Sequence, residues 1–127
     1  MNVVDSSGWL AYFANGRNAD FFAQPLADVA GLIVPAVSVF EVFKRVLQQR
    51  GEAAALQASA LMQQGRVEVM DASLAMVAAR LSHELKLPMA DSIMLATARR
   101  FEAELWTQDA DFAGLPGVRY LAKAAAD

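Results

Sequence analysis

Short apolar runs alternate with longer segments of helical periodicity along the whole chain. The short runs are rich in β-branched and aromatic side chains, which favours strands at residues 2–4, 32–34, 67–70, 105–107 and 117–121. Start signals predict helices that begin after Asp5, at Ala19, Ser38 and Glu52, after Asp71 or Ser73, and at Pro88. Strands that are apolar on both faces and separated by helices are typical of a parallel sheet with helices on both sides. The pattern therefore predicts one α/β domain over residues 1–127, a three-layer α/β/α sandwich with a central parallel β-sheet.

Acidic residues recur at equivalent places in this pattern. Asp91 opens a helix that is apolar over most of its circumference, and Asp109 follows the strand after that helix. Asp5 follows the first strand, and Glu41 lies in the first helical turn after the second strand. Because parallel strands share one carboxyl edge, these four carboxylates are predicted to converge there. Asp111 and Asp71 are weaker candidates on the same grounds.

Each of these acids also has an ordinary structural explanation. Asp5 suits a helix cap, Glu41 with Ser38 matches a capping box, Asp91 favours the positive end of its helix, and Asp109 suits a turn. The functional interpretation depends on the set, since ionised carboxylates about 4–5 Å apart repel by roughly 3–4 kcal/mol per pair at an effective dielectric near 20. Protons or a divalent cation are predicted to offset that repulsion. Ligation by oxygen alone favours Mg²⁺ or Mn²⁺ over Zn²⁺.

Composition narrows the possible functions. The chain has no cysteine and one histidine, His83, in a helical segment, which excludes thiolate chemistry and nucleases that use paired histidines. It has no G-x-S-x-G elbow and no glycine-rich phosphate loop. The chain has a net charge of −3, whereas a typical DNA-binding domain is strongly basic. No uncharged apolar run approaches the roughly 20 residues of a membrane span, and Asp5 interrupts any secretory signal, so a cytoplasmic protein without membrane contact is expected.

Three segments resemble the PIN-domain ribonucleases, and most closely the VapC-type toxins of bacterial toxin–antitoxin pairs. They are Val3–Leu10, Val37–Val42 and Leu87–Phe112, and their order and spacing agree over essentially the whole chain. The resemblance implies a Mg²⁺- or Mn²⁺-dependent endoribonuclease whose catalytic and metal-binding acids are Asp5, Glu41, Asp91 and Asp109. It implies supporting positions at Ser6, Ser7, Thr107 and Asp111, and it gives Asp71 no catalytic position.

The same resemblance implies partners and a mechanism. A water nucleophile, with Asp5 and Asp91 as the most direct metal ligands, leaves 5′-phosphate and 3′-hydroxyl ends on the RNA. A cognate antitoxin and a homodimer are implied, and the helices between Phe21 and Met62 are predicted to provide surface for both. Candidate RNA contacts are Lys44, Arg45, Arg50, Arg99 and Arg100.

Two other functions stay open at this stage. One is a non-catalytic protein-binding module of the same fold. The other is a receiver-type phosphoryl-transfer domain, which expects paired acids after the first strand and a late lysine. It is disfavoured because Ser6 follows Asp5 and no lysine lies between Lys86 and Lys123.

Overall fold

A five-stranded parallel sheet forms the centre of the molecule in the computed structural model, which describes residues 1–123. Its strands are β1 (Asn2–Val4), β2 (Leu32–Pro35), β3 (Arg66–Glu68), β4 (Glu104–Thr107) and β5 (Val118–Tyr120). They lie in the order β3-β2-β1-β4-β5, and every neighbouring pair is parallel. The predicted central parallel sheet is confirmed.

Six helices connect the strands over the described residues: α1 (Ser6–Phe13), α2 (Ala19–Ala27), α3 (Ala36–Arg50), α4 (Glu52–Met62), α5 (Ala72–Leu85) and α6 (Met89–Arg100). Each overlaps a predicted helix. The start of α3 was predicted too late, since the helix begins at Ala36 directly after Pro35 rather than at Ser38. Within residues 1–123, none of the helices combines the length and hydropathy needed to cross a bilayer.

The sheet separates two apolar cores because successive side chains of a strand point to opposite faces. Val3 packs in one core with residues of α5 and α6, while Val4 packs in the other with residues of α1 to α4. Both valines are fully buried. Helices therefore cover both faces, and the predicted three-layer α/β/α sandwich is confirmed.

The strand order changes direction at β1, the central strand. From β1 the chain continues to β2 and β3 on one side and later adds β4 and β5 on the other. The carboxyl ends of β1 and β4 are adjacent, since Val4 pairs with Trp106 and the Asp5 N–H donates to the Trp106 carbonyl at 3.1 Å. In open α/β sheets such a switch point forms a crevice where ligands bind. Residues that follow β1 and β4 meet there.

Close packing of α1 against the sheet depends on Gly8. A Cβ at this position would lie 2.6 Å from Phe22 and 2.7 Å from Val4, which is too close for any side chain. The missing side chain lets the first turn of α1 approach β1 and α2. As a result Asp5, the residue between β1 and α1, is held at the crevice.

Candidate metal centre

Asp5 is buried at the floor of the crevice, with 2% of its surface exposed. Its Oδ1 accepts the Gly8 N–H at 2.9 Å and its Oδ2 accepts the Thr107 hydroxyl at 2.6 Å, while the Ser7 hydroxyl donates to Oδ1 at 2.8 Å. Burial raises the pKa of Asp5 to about 6, although the hydrogen bonds from Thr107, Ser7 and Gly8 favour the charged form. The nearby charge of Asp109 raises the pKa further. Asp5 is therefore both the cap of α1 and a carboxyl group that holds a proton unusually tightly.

Thr107 joins two of the acids through one hydroxyl group. The hydroxyl donates to Asp5, and its oxygen accepts the Asp109 N–H at 2.9 Å. Asp109 in turn caps the short 3₁₀ turn Ala110–Phe112, accepting the Asp111 N–H at 2.9 Å. This chain of hydrogen bonds runs from the buried floor to the exposed side of the crevice, and it orients the acids that follow β4.

Asp91 lies in the first turn of α6 and is half-buried beside the other acids. Its pKa is raised to about 7, first by burial and then by the charges of Asp109, Asp5, Glu41 and Asp111. Four separate carboxylates therefore act on one group. The structure brings the predicted quartet and Asp111 into one cluster.

The tightest grouping in this cluster consists of Asp91, Asp109 and Asp111. Each contributes a carboxylate oxygen, and the three oxygens lie within 4.8 Å of one another. Because Mg²⁺ and Ca²⁺ bind oxygens at about 2.0–2.6 Å, oxygens on opposite sides of one ion lie up to about 5 Å apart, so the spacing fits a hard divalent cation. Asp111 was predicted as a supporting residue, whereas here it belongs to the grouping that fits an ion best. The ligand roles themselves stay predictions.

Glu41 is held at the cluster by a hydrogen bond that the capping-box interpretation does not include. Pro35 precedes α3, and no side chain caps the helix. Ser38 lies inside the helix and donates to the Pro35 carbonyl at 2.7 Å, while Glu41 accepts the Ser6 hydroxyl at 2.7 Å. The capping-box alternative is wrong because the chain enters α3 two residues earlier. The Glu41 carboxylate is thereby tied to the first turn of α1, next to Asp5.

A family model described as PIN domain matches residues 3–118. The chain belongs to the PIN-domain family. Among curated protein sequences, none matches the chain significantly.

Solved structures of toxin proteins share the fold of this PIN domain. A toxin–antitoxin complex from Klebsiella pneumoniae is 25% identical, with a TM-score of 0.78 over 94% of this chain and 96% of that chain. VapC20 from Mycobacterium tuberculosis, described as a toxin that cleaves the sarcin–ricin loop, is 19% identical, with a TM-score of 0.75 over 91% and 95%. VapBC2 from Rickettsia felis, bound to a DNA fragment from its promoter, is 15% identical, with a TM-score of 0.67 over 95% and 97%. The family model confirms the resemblance to PIN domains, and the chain shares its fold with VapC-type toxins.

Asp71 plays a structural part in this PIN domain. It caps α5 by accepting the Leu74 N–H at 2.7 Å, and it pairs with Arg100 at 3.1 Å on the surface. The Arg100 guanidinium lowers the pKa of Asp71, opposite to the shift at Asp91. The pKa shifts therefore distinguish Asp71, which has a cationic partner, from Asp91, which lies among like charges.

The predicted RNA contacts divide by position. Arg99 and Arg100 end α6, and eight residues of helix, or about 12 Å, separate Arg99 from Asp91. Arg45 and Arg50, in contrast, line a cavity that Ser7 also borders. Lys44 is exposed on α3. All five stay predictions, and of these residues Arg45 and Arg50 share a cavity with Ser7, whose hydroxyl binds Asp5.

Asn18 is a buried residue of the site region that the sequence analysis missed. Its Nδ2 donates to the Gln108 Oε1 and to the Ala122 carbonyl, both at 3.0 Å. These partners are 90 and 104 residues away in the sequence, so no local pattern marks Asn18. It connects the loop after α1 to the turn between Thr107 and Asp109.

Proposed function

We propose that this PIN domain is a divalent-metal-dependent endoribonuclease that acts as the toxin of a toxin–antitoxin pair. The observation that carries the proposal is the position of Asp91, whose carboxyl group lies among four other acids at the switch point of the sheet. Such an arrangement destabilises the protein unless protons or cations occupy it. One structural relative is described as a cleaving toxin and another as a toxin–antitoxin complex, which supports the same assignment.

The donor set favours Mg²⁺ or Mn²⁺. Carboxylate oxygens of Asp91, Asp109 and Asp111 would hold the ion, while Asp5 and Glu41 border the same space and add negative charge. When bound, a divalent cation lowers the pKa of a water molecule and stabilises charge on phosphate oxygens, which is the chemistry of phosphodiester hydrolysis.

The protein's own groups orient the acids and exchange protons. The Thr107 and Ser7 hydroxyls donate to Asp5 and fix its carboxylate plane against the crevice floor. Asp91, with a pKa raised to about 7, is about half protonated at neutral pH and would give up that proton to a bound cation. Binding of the ion is therefore expected to release protons and to strengthen as the pH rises through about 7.

Cleavage of RNA with mapped ends tests the enzymatic proposal. The purified chain, incubated with total RNA and Mn²⁺, is expected to produce new 5′-phosphate and 3′-hydroxyl ends, and EDTA is expected to stop the reaction. Asp91→Asn is expected to lower the rate at least 100-fold, whereas Asp71→Asn, the matched change at the paired acid, is expected to keep it. Products with 2′,3′-cyclic phosphate would exclude a water nucleophile. Equal cleavage by both variants would favour the non-catalytic binding module.

Exposed apolar side chains on α3 and α4 support an antitoxin partner. Phe40 and Leu56 are 66% and 56% exposed, and Leu47 and Leu61 are exposed on the same two helices. This surface lies within the predicted region between Phe21 and Met62, and we propose that the antitoxin covers it. If a short reading frame for a small DNA-binding protein precedes the gene, co-expression with its product is expected to inhibit cleavage. Leu56→Glu is then expected to relieve the inhibition while cleavage persists. The predicted homodimer is tested separately by sedimentation of the purified chain.

A further inference from the structure

A second cavity opens directly beside the acidic cluster. It has a volume of about 460 Å³ and is lined by Ser7, Gln108, Asp109, Ala110, Tyr120, Ala122 and Lys123. Ser7 and Asp109 form the side nearest the proposed metal centre, and residues 120–123 form the opposite side. We call this cavity the C-terminal pocket. It is the size of a small-ligand site and joins the place where RNA cleavage is proposed.

Pairing of β5 with β4 fixes Tyr120 at this pocket. Tyr120 is the register partner of Thr107, whose hydroxyl binds Asp5, and the Leu121 N–H donates to the Thr107 carbonyl at 3.1 Å. Tyr120 is 37% exposed and lines the pocket, so part of the residue is open to a ligand. An aromatic ring therefore lies one strand away from the acids.

Asn18 holds the two sides of the pocket together. Its buried amide donates at 3.0 Å to Gln108 on one side and at 3.0 Å to the Ala122 carbonyl on the other. Because Asn18 is only 6% exposed, these hydrogen bonds are shielded from water. The pocket is thereby formed before any ligand arrives, which lowers the entropy cost of binding.

Cationic side chains line the C-terminal pocket and the cavity next to it. Lys123 borders both the C-terminal pocket and the neighbouring cavity of about 400 Å³, which is also lined by Arg45 and Arg50. Within residues 1–123, no acidic side chain forms an ion pair with Lys123, Arg45 or Arg50. These cations are available to an anion that extends from the acidic cluster toward α3.

We propose that the C-terminal pocket binds one nucleotide of single-stranded RNA beside the bond that is cut. The base stacks on Tyr120, a backbone phosphate pairs with Lys123, and the next phosphates continue toward Arg45. Aromatic stacking combined with cations along the backbone is the usual chemistry by which proteins bind single strands. An amphipathic protein helix, in contrast, needs a longer apolar groove than this pocket, whose side formed by residues 120–123 carries one aromatic and one cationic side chain and whose other side carries Asp109. This inference rests on the proposed ribonuclease function.

Cleavage kinetics of a short single-stranded RNA in Mn²⁺ test the stacking contact. Tyr120→Ala is expected to raise KM about 5- to 50-fold with a smaller change in kcat, because stacking contributes to binding before the chemical step. Tyr120→Phe keeps the ring and is expected to stay within about twofold of the wild-type KM. Tyr12→Ala is the matched control, because Tyr12 is 39% exposed and lines neither cavity.

The salt dependence of KM tests the phosphate contact. Lys123→Gln is expected to reduce the slope of log KM against log salt by about 0.7, the value for one phosphate contact on a single strand. Lys123→Arg keeps the charge and is expected to keep the slope.

The outcomes separate this inference from the function on which it rests. If Tyr120→Ala keeps the wild-type KM and Lys123→Gln keeps the wild-type salt slope, the nucleotide pocket is overturned while the ribonuclease activity stands. A pocket that holds a protein segment instead of RNA predicts that result. A folded wild-type chain that cleaves no RNA in Mn²⁺ would overturn both. A melting curve for each variant excludes unfolding as the cause, and Lys123→Gln keeps the test decisive if Tyr120→Ala does not fold.

Discussion

Replacing Asp91 by asparagine is expected to raise stability without metal and to abolish stabilisation by metal. In wild type, the pKa of Asp91 is raised from 3.8 to about 7, so the folded state binds more protons than the unfolded state between those pH values. Stability without metal therefore falls as the pH rises from about 4 to about 7, and the whole of this loss of stability is present above pH 7. The asparagine side chain carries no charge, so the Asp91→Asn variant loses this part of the pH dependence.

The size of the effect follows from the same shift. Each tenfold change in proton affinity corresponds to about 1.4 kcal/mol, which sets an upper limit of about 4 kcal/mol for Asp91. Asp91 is only half-buried, and solvent screening reduces the expected gain to about 1–2 kcal/mol. For a domain of 127 residues, that gain corresponds to a rise in Tm of roughly 3–10 °C at pH 8 in EDTA.

Addition of Mn²⁺ is expected to make the wild type more stable than the Asp91→Asn variant, which reverses their order of stability in EDTA. A ligand at 100 times its Kd stabilises the folded state by about 2.7 kcal/mol, and only the wild type keeps the full set of acids. Calorimetry or fluorescence melting at pH 5 and pH 8, with and without Mn²⁺, measures both effects.

Asp71→Asn is the matched control for these melts. Asp71 is exposed and its pKa is lowered by Arg100, so its replacement removes a favourable charge and is not expected to raise Tm. Its Mn²⁺-dependent shift is expected to equal that of wild type. A lower Tm for Asp91→Asn than for wild type at pH 8 in EDTA would refute the argument from charge crowding, and an equal Mn²⁺ shift in both would refute the ligand role.

Three further predictions test individual parts of the site. Thr107→Val removes a hydroxyl that lowers the pKa of Asp5. The pH–rate profile of this variant is therefore expected to move to higher pH, and its cleavage rate is expected to fall at least tenfold. Thr107→Ser keeps the hydroxyl and is expected to keep the wild-type profile and rate. Gly8→Ala brings a methyl group to 2.6 Å from Phe22, so chemical denaturation is expected to show a loss of about 1–3 kcal/mol. Asp111→Asn is expected to weaken Mn²⁺ binding about tenfold by calorimetric titration; an unchanged Kd would remove Asp111 from the ligand set.

Local chemistry explains why much of the fold could be predicted from the sequence. The buried strands consist mainly of apolar residues, and Asp5 and Asp71 begin helices in the expected way, each accepting an N–H three residues on. The parallel arrangement follows from strands that need cover on both faces. Once the arrangement is parallel, acids after strands must share an edge, and this is why four distant carboxylates could be placed together.

The parts that were missed or wrong depend on contacts between distant segments. Ser38 and Glu41 fit a capping box by spacing, yet Glu41 binds Ser6, which is 35 residues away in the sequence. Asp111 joins Asp91 only because α6 and the turn after β4 meet at the crevice. Asn18 has no sequence signal because both of its partners lie near the other end of the chain. Local pattern identifies the elements, whereas these pairings depend on how the elements pack.

The hydrogen bond between Thr107 and Asp5 has a consequence for biosynthesis, because it joins residues 102 positions apart. While the chain is being made on a ribosome, β1 emerges before β4, and the two strands cannot pair until residues 104–107 have been translated. Asp5 therefore lacks the neighbouring strand that encloses it while the intervening helices and strands are made. A nascent or prematurely terminated polypeptide that ends before residue 104 cannot build the centre, so a completed site forms only after β4 has left the ribosome.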